Sequence, residues 1–214
     1  RDPEMSRGLG DVYKRQSATS SQNNSIIINA HIVTPQGRTA RKGEAMNELL
    51  NIPCGTVRVT DGIITYVGEN RISHEKPGYK VLDARGNVLL PGFVDSHTHL
   101  VFGGFRPDEF IWRLNGDSYM SIMERGGGII NTVRATREAS FEELKHKAEW
   151  FLDTMSRMGV TTVEGKSGYG LDRDTELKQL SVMQAINECP DRKVDIALSL
   201  IHISEPTRHL RISY

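Results

Sequence analysis

The sequence predicts an α/β chain in which a small β module precedes a run of alternating strands and helices. Two observations carry the prediction. Between residues 25 and 92, short segments rich in Val and Ile are punctuated by turn residues. From about residue 88, apolar runs of strand length alternate with amphipathic stretches of helix length, the pattern of βαβ units around a parallel sheet. The composition agrees: the 214 residues are 37% hydrophobic and 25% charged, as in an ordinary globular chain. Two architectures fit the alternation: part of a (β/α)8 barrel, which needs eight strands, and an open doubly wound sheet, which four or five would satisfy.

The β module reads as SIIINAHIV (25–33), GTVRVTDGIITYVGE (55–69) and YKVLDARGNVLLPG (79–92). Asp61-Gly62 sits between two β runs and predicts a tight hairpin turn. Asn87 beside Gly86 predicts a second turn, and 37–53 predicts a loop with one helical turn. In the second part, VLLPGFVD (88–95) is nearly all apolar and predicts a strand buried on both faces. Two short helical pieces follow, DEFIWRLNG and SYMSIMERGGG, and IINTVRAT (129–136) predicts the next strand. Ser140 and Glu143 form a capping-box pattern that opens a helix. Its inward face is predicted to carry Phe141, Leu144, Ala148, Phe151, Leu152, Met155 and Met158, with Gly159 as the stop. VTTVEGKSGYG (160–170) reads as a strand running into a Gly-rich loop. The stretch 175–189 reads as a helix with Leu177, Leu180, Met183 and Ile186 or Ala185 inward, and KVDIALS (193–199) as a fourth strand.

The composition excludes several functions. Lys plus Arg equals Asp plus Glu at 27 each, so the basic excess of a nucleic-acid binder is missing. No apolar run reaches the roughly 18 residues of a membrane span. Two cysteines, Cys54 and Cys189, make neither a disulfide framework nor a zinc ribbon, which points to a reducing cytoplasm. GGG at 126–128 lacks the Lys-Ser/Thr of a phosphate loop and reads as a turn. His31 and His74 lie away from any ligand spacing, and His146 reads as a solvated helix residue. Met120, Met123, Met155, Met158 and Met183 recur at helical spacings and predict core filling. The ends, 1–16 and 200–214, break the interior pattern and read as foreign tails, or else as native disordered ones; His202 and His209 lie there.

The chemistry concentrates in PGFVDSHTHLVFGG (91–104). Residues i and i+2 of a strand project to one side, so His97 and His99 at a strand's end can share one divalent metal. Imidazole suits zinc and iron alike. Taken alone, an H-x-H pair is more often a pair of hydrogen-bonded histidines. The apolar strand before it, Asp95 and the Gly pair after it favour the metal.

The strand with D-x-H-T-H, preceded by a β module, resembles the metal-dependent amidohydrolase superfamily. Within it, HTHLVFGG, RLNGDSYMSIMERGGGI, NTVRATREAS and TTVEGKSGYGLD resemble the imidazolonepropionases over roughly residues 25–199. The resemblance implies a distorted TIM barrel with a β-sandwich, here the sandwich module at 17–87 and the amino-terminal half of the barrel, about four βα units, at 88–199. It implies a cytoplasmic hydrolase of histidine degradation that opens the cyclic amide of 4-imidazolone-5-propanoate to N-formimidoyl-L-glutamate. It matches His97 and His99 to the first two ligands of one zinc or iron ion, and Arg106 and Tyr169 to substrate-binding residues. A guanidinium fork suits the propanoate carboxylate, and a phenol packs on the imidazolone ring. Without the resemblance, Arg106 reads as a surface ion pair with Asp108 or Glu109, and Tyr169 as a packing residue. Lys166 reads as a structural lysine in a salt bridge rather than a metal bridge.

The later metal ligands, a substrate-contacting histidine and a general-base glutamate are expected beyond Ser199. The chain alone is therefore expected to be an inactive fragment, and a homodimer is the expected full-length assembly. Two other readings stay open: a different cyclic-amide amidohydrolase, and a non-enzymatic α/β protein with an incidental H-x-H.

Overall fold

The computed structural model describes residues 24–37, 39–70 and 77–200, which fall into two compact units divided after Pro91. The tails apart from Leu200, together with His74, His202 and His209, lie outside the described residues.

Among its described residues, the first unit is one five-stranded sheet. β1 (Ser25–Pro35) is central, with β2 (Leu49–Thr60) antiparallel on one side and β3 (Ile63–Glu69) beyond it. On the other side, β4 (Lys80–Asp83) and β5 (Val88–Leu89) pair with β1 in parallel. The β2–β3 hairpin turns at Asp61 and Gly62, both at positive φ, as a tight two-residue turn with the right twist requires. All five strands enter one ladder, so among the described residues there is no second layer packed as a sandwich. β2 begins at Leu49, inside the segment expected as loop, after a 3₁₀ turn at Gly43–Asn47. Ala30, Ile32, Ile52 and Val57 form this unit's core.

The run 88–95 is not one strand. Pro91 has no amide hydrogen to continue a ladder, and the chain parts there: Val88–Leu89 pairs in the first sheet, while β6 (Phe93–Thr98) starts the second. Nor is β6 buried on both faces. Phe93 and Val94 are exposed; β6 is the first strand in the order β6-β7-β8 of a parallel sheet, with β7 at Val160–Lys166 and β8 at Asp195–Ser199.

Among the described residues, five helices complete the second unit: α1 (Pro107–Leu114), α2 (Tyr119–Glu124), α3 (Ile129–Glu138), α4 (Phe141–Arg157) and α5 (Arg173–Asn187). The segment expected as a strand at 129–136 is therefore helix α3. Its β-branched residues suggested a strand, but the buried set Thr132, Val133 and Thr136 follows the helical period. Gly128, at positive φ, sets the start, and Lys178 of α5 donates to the terminal carbonyls of Thr136, Arg137 and Ala139 at 2.8–3.0 Å. With α3 a helix, the second unit has three strands among the described residues instead of four.

α4 begins at the predicted capping box: Ser140 Oγ accepts from Glu143 N and Glu143 accepts from Ser140 N. Its buried line is Leu144, Ala148 and Leu152, which joins Val163, Val182, Met183, Ile186 and Ile196 in the core. Met158 and Met120 are largely exposed instead of filling core, because the first lies past the end of α4 and the second on the outer side of the two-turn α2. Leu177 of α5 is also exposed. The buried line there is Thr175, Glu176, Gln179, Val182, Met183 and Ile186, polar in its first half where it meets the loop after β7.

The caps predict an acid response. Glu143, through the Ser140 hydroxyl and amide, and Asp172, through the Thr175 amide, are held below their ordinary carboxylate values. A depressed folded-state pKa contributes stability that is present above the unfolded value and lost as pH falls through the folded one. The urea midpoint is thus expected to drop from roughly pH 5 to pH 3. Glu143→Gln is expected to flatten that limb, as a urea melt at each pH checks.

Candidate metal centre and substrate cavity

The site is assembled where β6 and β7 end. β6 delivers His97 within the strand and His99 just past it, and the two rings lie 5.6 Å apart, edge to face. Asp95 Oδ1 accepts from the His97 amide at 3.0 Å, fixing the turn of the backbone between them. The His97 ring is exposed and that of His99 half-buried. His99 Nδ1 is buried with no hydrogen-bond partner. Burial first, then the neighbouring His97, pushes the His99 pKa below its ordinary value, favouring the neutral imidazole that a metal requires.

Tyr169 follows β7 in the S-G-Y-G loop, its ring 5.0 Å from that of His99 and 6.0 Å from Phe102. Arg106, immediately before α1, shares one cavity of about 390 Å³ with His99 and Tyr169. Phe102, Phe105 and Phe110 supply its apolar wall, and Glu109, Arg113 and Thr132 its remaining polar groups. Of the four expected site residues, His99, Arg106 and Tyr169 line this cavity; His97 adjoins it through His99.

Arg106 does make the ion pair that its neighbourhood allowed. Its guanidinium lies 3.1 Å from Glu109 Oε2, while the other oxygen of the buried Glu109 accepts from Gly128 N at 2.6 Å. Lys166 is likewise paired, 2.9 Å from Glu164. Lys147 of α4 secures the segment before Arg106: its ammonium lies 3.6 Å and 3.7 Å from the ring centres of Phe102 and Phe105 and donates to the Gly104 carbonyl. Burial lowers its pKa to about 8.

Two residues that sequence reasoning missed hold the site together. Gln179 is fully buried and donates to the Val101 carbonyl at 2.6 Å while accepting from Gly168 N at 3.4 Å, so one amide ties the His99 segment to the Tyr169 loop. Glu176, also buried, accepts from Gly170 N and Leu171 N at 2.8 and 3.0 Å. Both sit on the buried face of α5; their three-residue spacing was readable, but their polarity pointed to solvent.

The two imidazoles and the orphaned His99 Nδ1 fit part of a metal's ligand set. Among the described residues, no group of three or more His, Cys, Asp or Glu side chains is placed to hold an ion. No helix among them is long and apolar enough to cross a membrane.

No family model matches the chain. In structure it is similar to E. coli guanine deaminase (TM-score 0.50, 18% identity, 81% of this chain and 39% of that one). It is also similar to 5-methylcytosine deaminase from Klebsiella pneumoniae (TM-score 0.50, 20% identity, 81% and 35%). At that identity the likeness concerns the fold alone, which is α/β. In sequence it is 97% identical over 179 residues to the imidazolonepropionase of Phocaeicola vulgatus, covering 84% of this chain and 43% of that protein. It is 59% identical over 182 residues to that of Bacteroides thetaiotaomicron, covering 83% and 43%, and 51% identical over 177 residues to that of Clostridium tetani, covering 81% and 42%. The chain belongs to the imidazolonepropionase family. It spans less than half the length of these relatives.

Proposed function

We propose that this sequence is part of an imidazolonepropionase, and that its cavity binds 4-imidazolone-5-propanoate for hydrolysis to N-formimidoyl-L-glutamate in the cytoplasm. The observation that carries this is the meeting of a neutral imidazole, a guanidinium and a phenol on one cavity, at His99, Arg106 and Tyr169. That set matches a ring bearing a carboxylate. The guanidinium takes the carboxylate and the Tyr169 ring packs on the heterocycle, which fixes the amide's orientation. The phenylalanines exclude water from the bound ring.

His97 and His99 would hold a divalent ion, zinc or iron, with further ligands from sequence beyond Ser199. When bound, that ion supplies Lewis acidity for hydrolysis of the ring amide. The strand order β6-β7-β8 runs parallel and sequential with helices between, which supports a reading of 88–199 as the first units of a (β/α)8 barrel. The stretch 17–87 is then this chain's share of the β-sandwich module, whose second layer would come from sequence beyond Ser199, and a homodimer the assembly.

The test is an assay of the full-length protein that extends this sequence, loaded with zinc or with iron, for loss of substrate absorbance. Turnover is expected with at least one metal. A folded, metal-loaded protein that leaves the substrate unchanged overturns the proposal.

A further inference from the structure

The cavity is lined by a second arginine besides Arg106. Arg106, Glu109, Phe110 and Arg113 recur at three- and four-residue intervals along α1, so one face of that helix is turned to the cavity they line. Glu109 is buried, and one of its oxygens pairs with Arg106 while the other accepts the Gly128 amide. Arg106 is therefore neutralised and held by a carboxylate that is itself fixed to the backbone. Arg113 has no ion pair or side-chain hydrogen bond among the described residues, yet it lines the same cavity.

We propose that Arg113 is a second substrate-binding residue, the uncompensated cation that attracts and grips the substrate's carboxylate, and that Glu109 is the positioning residue that aims Arg106 at the same group. The inference rests on the proposed function for the identity of the substrate, but its chemistry asks only for a small heterocycle with one carboxylate. Two guanidiniums and one buried carboxylate leave the cavity one positive charge in excess, the charge that a monoanion balances. A guanidinium supplies a planar pair of donors where an ammonium supplies a point charge, so lysine at position 113 recovers attraction and loses the fork.

The experiment is calorimetric titration of the full-length protein with 3-(imidazol-4-yl)propanoate and with its neutral carboxamide. The unsubstituted protein is expected to prefer the propanoate. Arg113→Gln is expected to weaken propanoate binding about 10- to 100-fold and carboxamide binding less than about twofold, with Arg113→Lys between. Arg113 is exposed, and a thermal melt checks that the variants fold. Glu109→Gln adds one net positive charge to the cavity, so the expected fall in propanoate affinity reads lost aiming of Arg106 rather than lost charge, and a rise overturns the positioning role of Glu109. Lack of propanoate binding or preference in the unsubstituted protein, or equal weakening of both ligands by Arg113→Gln, overturns the proposal. Turnover of 4-imidazolone-5-propanoate, assayed separately, decides the proposed function itself, so the two can fail independently.

Discussion

Replacing His99 with alanine is expected to lower metal affinity in the full-length protein by more than about 100-fold, beyond the loss that follows removal of an outer partner of a metal ligand. The expectation rests on three properties of one side chain. His99 carries a buried, unpartnered Nδ1, its neutral form is favoured, and its ring lies beside both His97 and Tyr169. His97→Ala is expected to act in the same direction. His31→Ala supplies the control, because that ring contacts Asn51 in the first sheet at 2.8 Å and should leave metal content unchanged. Metal analysis after dialysis against a graded chelator reads all three. Retention of a full metal equivalent by folded His99→Ala protein would remove this residue from the centre, whatever the turnover.

Gly103→Ala is expected to destabilise the second unit by about 3 kcal/mol, at the upper end of the cost of forcing a methyl into packed structure. The added Cβ lands on the carbonyl of Ala135 and lies 2.6 Å from Thr136 N, both backbone atoms of α3. The helix cannot readily step aside, since Gly103 N donates to Thr136 Oγ1 at 2.9 Å and Lys178 holds the last carbonyls of α3. Gly116→Ala is a fair comparison: nothing lies within 4 Å of its added methyl, so only the positive φ is penalised, at about 1 kcal/mol. Urea denaturation of both variants measures the difference. Similar midpoints for the two would mean that the approach of the 100–104 segment to α3 is looser than the geometry indicates.

What the sequence disclosed was what local chemistry decides. The Asp61-Gly62 turn and the Ser140–Glu143 box each depend on a few adjacent residues, and both are present. The alternation that predicted a parallel sheet also held, because strand and helix periods differ over short windows. Stretch 129–136 misled because Ile, Thr and Val suit strands intrinsically, while the packing of Thr132, Val133 and Thr136 decided the outcome. The run across Pro91 misled because continuous hydrophobicity does not show which sheet each half joins. At the site, His97 and His99 were visible as a spacing. Glu109, Glu176 and Gln179 were not, since a buried polar residue is recognised by its partners, and those lie elsewhere in the chain.

The five residues 167–171 make an unusual loop in that four of their five backbone amides are engaged. Ser167 N donates to Ser199 O, Gly168 N to Gln179, and Gly170 N and Leu171 N to Glu176, while the Gly170 carbonyl accepts from Arg137. Surface loops ordinarily absorb insertions and are where new specificities arise. Here an extra residue would break several of these pairings at once and, through Gln179, disturb the backbone next to His99. Altered ligand preference, whether by drift or by design, is therefore to be sought in the side chains of α1, which can change without altering the length of the chain.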